Sequence, residues 1–137
     1  MIGSAMTDPL IDARPASSAA LVLAADAPQA LAAFYAALVG ASAEPGFSAS
    51  HWRVPLPELG WLELYRPSRQ RPVAPGRGRL AVCLKRQGDG TDLAQWQQQA
   101  LALGAQRLED PRQEPFGSEV WLLDPEGNGL LLLVGRP

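Results

Sequence analysis

Few residues of this chain carry reactive groups, and their spacing limits the chemistry open to them. His51 is the single histidine, the side-chain type best suited to proton transfer near neutral pH. It stands beside Trp52 on a candidate edge strand and is read as a surface or rim residue rather than a general base. Cys83 is the single cysteine. With no sequence neighbour to stabilise a thiolate, it is expected to be an inert, buried strand residue. Gly88-Asp89-Gly90 lacks the glycine spacing of phosphate-binding loops and is read as a turn. Arg66, Arg69, Arg71 and Arg77 make a basic segment without interleaved aromatics or a basic helix, the pattern of a solvated loop rather than a nucleic-acid surface. Near the C-terminus, Asp124-Pro125-Glu126-Gly127-Asn128-Gly129 reads as a hairpin turn, in which Pro125 presets φ and Gly127 or Asn128 takes the left-handed corner. The strand that follows, Leu130-Leu131-Leu132-Leu133-Val134, offers no metal ligand.

Bulk composition narrows the partners. The chain has 137 residues, one domain by length or two small halves sharing a core. Its 12 basic and 14 acidic residues leave a net charge of -2, so no global field would recruit nucleic acid or an anionic membrane. No apolar run approaches the roughly 20 residues that span a bilayer, and the N-terminus, with Asp8 and Asp12, reads as no export signal. A lone cysteine forms no internal disulfide, and no cysteine and histidine spacing suggests structural zinc, so a reducing cytoplasm is the expected location. Residues 1–17, rich in Ala, Ser and Pro, are expected to be a disordered tail, its first residues reading as a cloning remnant before a native start at Met6.

The elements that would position a site begin near Ser18. Ala19 to Ala24 is an apolar run of strand length. Asp26 can cap a following helix, with Gln29 at the reciprocal position and Pro28 tolerated in the first turn. Leu31, Phe34, Tyr35 and Leu38 form its apolar stripe, and Gly40 its left-handed stop. Strands are expected near Ser42 to Phe47, at His51 to Leu56 and at Gly60 to Tyr65. After a Pro- and Arg-rich linker from Arg66 to Arg77 the pattern restarts. A strand is expected from Arg79 to Lys85, then a helix capped by Asp92 with Gln95 and striped by Leu93, Trp96, Ala100 and Leu103, then strands near Ala105 to Leu108, Glu119 to Leu123 and Gly129 to Val134. The fold class is therefore α+β, a β-α-β-β-β module written twice, over about residues 18–66 and 78–135.

This duplication resembles the vicinal oxygen chelate superfamily, which includes glyoxalase I and bleomycin resistance proteins. The resemblance rests on Leu21-Val22-Leu23-Ala24-Ala25-Asp26 leading into Ala33-Phe34-Tyr35-Ala36-Ala37-Leu38-Val39-Gly40, and on the Asp124-Pro125-Glu126-Gly127-Asn128 turn; it covers about Ser18 to Val134. It implies two modules whose mixed sheets curl into an open cup, helices on the outer face, the ligand inside, and in many members a homodimer. The metal enzymes of the superfamily set four ligands on the cup wall, and by position these become Ala19, Glu63, Arg79 and Leu131. Only Glu63 is a donor, and a shift of register to Ser18 or Leu80 adds none. Catalytic Ni, Zn, Fe or Mn sites need at least three protein donors, so no metal and no cofactor are expected.

The same carry-over sets opposite charges, Glu63 and Arg79, at positions that should converge, and an ion pair between them, within a chain or across a dimer, is expected where relatives hold a cation. If Glu63 points inward, strand alternation brings Trp61 and Tyr65 inward too, while Leu62 and Leu64 pack under the helices. Arg79 would bring Ala81 and Cys83, Leu131 would bring Leu133, and Glu119 would share the inner face with Trp121. The expected function is a metal-free protein of the glyoxalase and bleomycin resistance type that holds a small organic ligand in an aromatic cup. Glu63 and Arg79 would anchor it, and Trp61, Tyr65, Trp121 and Glu119 would line it. The alternative is a glyoxalase-like lyase or isomerase with Glu63 as general base, a role that Arg79 would oppose by stabilising the ionised carboxylate.

Overall fold

A computed structural model describes residues 18–135; the tail assigned to residues 1–17 lies outside the described residues. The first unit runs β1 (Ala20–Ala24), α1 (Pro28–Val39), β2 (Glu44–Pro45), β3 (His51–Leu56) and β4 (Gly60–Tyr65). The second runs β5 (Val82–Gln87), α2 (Gly90–Ala102), β6 (Gln106–Arg107), β7 (Arg112–Glu114), β8 (Gly117–Leu123) and β9 (Gly129–Gly135). The four-stranded sheet has the order β1-β4-β3-β2; the five-stranded sheet has the order β5-β9-β8-β6, with β7 also paired to β8. In each, the strand before the helix lies parallel to the last strand of its unit, and all other pairs are antiparallel. This is the α+β duplication expected, with one strand more in the second unit. Arg112-Gln113-Glu114 has no apolar alternation to announce it and is held by pairing with Gly117 to Glu119.

Both sheets bury one face under the helices. Leu31, Phe34, Tyr35 and Leu38 of α1 and Leu93, Trp96 and Ala100 of α2 pack with Leu62, Leu64, Val120, Leu122, Leu130, Leu132 and Val134. Alternation leaves Trp61, Glu63, Tyr65, Trp121, Leu131 and Leu133 half-buried on the other face. Leu103, assigned to the buried stripe, is 39% exposed, because α2 has already ended at Ala102. Among the described residues no helix is long and apolar enough to cross a membrane.

Both helix caps differ from expectation. The N-cap of α1 is Ala27, without a side-chain cap. Instead the Asp26 and Ala27 amides donate to the Glu126 carboxylate at 2.6 and 2.9 Å, so an acid from the second unit meets the positive end of the first unit's helix. On α2 the cap is Asp89, which accepts from the amides of Thr91 and Asp92, while Asp92 accepts from the Asp89 amide. The capping box thus begins inside the Gly88-Asp89-Gly90 turn, three residues earlier than the Asp92 and Gln95 pair.

The fifth strand also starts later than expected, at Val82 rather than Arg79. Its one partner among the described residues, β9, pairs with it from Leu130 opposite Val82; Arg79 and Leu80 fall level with the Asp124 to Asn128 turn and have no strand to bond. The units are further joined by the Arg86 Nη2 and Trp96 Nε1 donors on the Leu38 carbonyl, at 2.9 and 3.4 Å.

Candidate functional site

The β3-β4 hairpin builds the site. Leu56 pairs with Gly60, so Arg53 falls directly opposite Glu63 and His51 opposite Tyr65. These residues share the face turned away from the helices, together with Trp61, and cross-strand neighbours on one face are within reach of one another. The Glu63 Oε1 atom lies 2.7 Å from His51 Nε2, and its Oε2 lies 3.5 Å from Arg53 Nη2. The side chains of His51 and Glu63 are only 17% and 20% exposed. Arg53 also lays its guanidinium on Trp61, with Cζ 3.7 Å from the ring centroid, leaving its Nε buried without a hydrogen-bond partner.

The histidine tautomer follows from its two bonds. The Phe47 amide donates to His51 Nδ1 at 2.9 Å, so Nδ1 accepts and Nε2 carries the proton given to Glu63. The Phe47 ring, fully exposed, stacks on the imidazole at 5.5 Å and 19°. Pro45, Gly46, Phe47, His51, Arg53 and Glu63 enclose a cavity of about 310 Å3. Gly46 makes room for the imidazole, since a Cβ there would overlap the His51 ring.

Several sequence expectations need correction. Within one chain, the partners of Glu63 among the described residues are His51 and Arg53, and no ion pair joins it to Arg79, which lies in the loop before β5, so the intrachain form of that pairing is not formed. His51, expected at the rim, belongs to the cavity. Trp61 is covered by Arg53 and is not a wall of that cavity; Phe47 is. Tyr65 lines a separate space of about 390 Å3 with Val22, Arg77 and Glu126. Trp121 and Glu119 lie on the second sheet. There Arg77 stands 5.3 Å over the Trp121 ring, and Arg112 lies 3.9 Å from the nearly buried Glu119. Cys83 is exposed rather than buried. Partial desolvation pushes its thiol pKa up, Lys85 opposes this, and Glu119 adds to it, so the thiolate is disfavoured.

The donors do not fit the divalent ion that the superfamily's metal enzymes hold. Glu63 and His51 are two, a guanidinium stands beside them, and no group of three or more His, Cys, Asp or Glu able to hold a metal occurs among the described residues. The arrangement can instead present a charge-balanced polar cluster at the foot of a half-open cavity with one aromatic wall.

Residues 20–133 match the family model described as a glyoxalase-like domain. No curated protein matches the chain. Among solved structures, the chain is similar to a glyoxalase-related enzyme from Fulvimarina pelagi, at 19% identity and TM-score 0.70 over 87% of this chain and 88% of that one. It is also similar to a glyoxalase/bleomycin resistance protein from Albidiferax ferrireducens T118, at 19% identity and TM-score 0.65 over 86% and 97%. A lactoylglutathione lyase from Agrobacterium tumefaciens matches at 22% identity and TM-score 0.60 over 88% and 95%. At these identities the likeness concerns the fold, and the matched family model carries the assignment. The chain belongs to the glyoxalase-like domain family, within the vicinal oxygen chelate superfamily.

Proposed function

We propose that this protein binds a small organic molecule at the inner face of its first unit, around Glu63, without a resident metal ion and without turning the ligand over. The observation that carries this reading is the Glu63 cluster. The carboxylate is satisfied by the His51 Nε2 proton and by Arg53 inside a cavity of about 310 Å3 whose wall is the exposed ring of Phe47. A flat ligand stacks on Phe47, and its polar edge exchanges hydrogen bonds with the charge-balanced cluster. In a cytoplasmic homodimer, the second unit of one copy would set Arg79, Trp121 and Glu119 opposite Glu63 of the other, with Tyr65 beside it, closing the cup over the ligand.

The second reading is a glyoxalase-like lyase or isomerase in which Glu63 takes a proton from the substrate. The His51–Glu63 hydrogen bond favours it, because an imidazole-bound carboxylate is a recurrent acid-base unit. Against it, Oε1 already accepts the His51 Nε2 proton and the Arg53 guanidinium stands 3.5 Å from Oε2.

A thermal-shift panel of aromatic cations, bleomycin-type antibiotics and 2-oxo compounds on metal-stripped protein tests the choice. Stabilisation without product is expected. Product formation that disappears in Glu63→Gln would establish the enzyme instead.

A further inference from the structure

Each unit closes with a Pro-Glu hairpin, three residues long in the first and five in the second, and the two are used differently. Pro57-Glu58 with Gly60 closes the first unit, and Pro125-Glu126 with Gly129 closes the second. In the second unit the seam to the neighbouring helix is filled. Glu126 caps α1, and the wholly buried Asp124 accepts the Tyr35 hydroxyl proton at 2.7 Å. In the first unit the residue before the proline is Leu56, with no carboxylate to offer, α2 is capped by its own Asp89, and Glu58 has no hydrogen bond or ion pair among the described residues. Glu58 is also the one non-glycine residue at positive φ among them, at 62°, a conformation that costs energy and gathers at functional sites.

What this seam leaves is a cavity of about 540 Å3 beside the hairpin, within the roughly 300–1,000 Å3 usual for ligand pockets. Leu21, Leu38, Leu56, Leu59, Val82 and Trp96 make its apolar wall, and Lys85 and Arg86 stand on it. Arg86 is held in place: Nη2 donates to the Leu38 carbonyl at 2.9 Å, and Cζ lies 4.2 Å over the Trp96 ring. Its guanidinium is thereby fixed before any ligand arrives, which lowers the ordering cost of binding. Lys85 is exposed and has no ion partner among the described residues. Lys85 and Arg86, on opposite faces of the edge strand β5, and Glu58 are the charged residues of the cavity's lining.

We infer that this inter-unit cavity is a second binding site, distinct from the His51–Glu63 cavity, for an amphipathic organic anion: a hydrocarbon or aryl body carrying one carboxylate. The body displaces water from the leucine wall, the carboxylate takes the free edge of Arg86, and Lys85, on the other face of the edge strand, adds its charge at the rim. Size, apolar wall and net positive charge select this class over a neutral alcohol or a cation.

Backbone amide shifts of the full chain, titrated with decanoate and separately with decanol, test the inference. Saturable decanoate shifts are expected at Leu56 to Leu59 and at Val82 to Arg86, with decanol weaker by roughly tenfold, the scale of one charge-assisted contact. Lys85→Glu, at an exposed position that leaves the packing intact, should weaken decanoate by about fivefold to tenfold and leave decanol unchanged. Equal affinity for the two probes, shifts centred on His51 and Glu63, absence of saturation, or indifference of decanoate to Lys85→Glu would each overturn it.

Discussion

Tyr35, on the helix of the first unit, donates its hydroxyl proton to Asp124, at the hairpin of the second, over 2.7 Å and with both side chains buried. Burial first, then the charge of Asp124 and the hydrogen bond itself, raise the Tyr35 pKa well above its ordinary 10.0. The folded state therefore favours the protonated phenol. That contribution is fully present below the unfolded pKa and is lost as pH rises toward the higher folded one. Tyr35→Phe is expected to cost about 2 kcal/mol in chemical denaturation at neutral pH, the scale of a buried bond to a charged acceptor. The deficit should shrink above about pH 10, measured as the difference between the two proteins' unfolding curves.

Glu126 ties the same two units by its carboxylate. It holds the Asp26 and Ala27 amides, and no local side chain replaces it at the α1 N-cap. Glu126→Ala should lose about 1 kcal/mol of stability, the usual cost of a helix cap. Asp26→Ala, by contrast, should be near neutral, because the Asp26 backbone rather than its carboxylate takes part. Parallel thermal melts of the two variants decide between them.

Gly46 matters to the cavity through the space it leaves. A methyl group there would run into the His51 ring, so Gly46→Ala should drive the imidazole off Glu63 and off the Phe47 amide. The expected outcome is a folded protein, destabilised on the order of 1 kcal/mol, with ligand affinity down at least about tenfold. Histidine ring shifts in NMR report the displacement directly.

The fold was legible because its signals are local. Leucines and aromatics recur at helical spacing in α1, Gly40 stops that helix, and the Asp124 turn separates two apolar strands. The polar cluster was legible only in part. Pairing Leu56 with Gly60 across the hairpin already sets Arg53 opposite Glu63, yet Arg79 drew attention because positional carry-over placed it at a ligand position. Its strand in fact begins at Val82, where β9 first supplies a partner. Phe47 and the Phe47 amide bond to His51 depend on the short turn through Ser48 and Ser50, whose geometry no periodicity encodes. The Glu126 cap joins residues a hundred positions apart, and a capping rule that searches within one turn of sequence assigns the role to Asp26 instead. β7, three polar residues on a sheet edge, has pairing but no pattern.

The most direct test is calorimetry of the chelator-treated full chain with a ligand drawn from the thermal-shift panel, before and after one equivalent of Ni, Zn or Mn, beside the Glu63→Gln variant. Binding is expected to have the same Kd with and without metal, to weaken by about tenfold in Glu63→Gln, and to leave the ligand chemically unchanged. Binding that appears only when the metal is added, or turnover that Glu63→Gln abolishes, would contradict it.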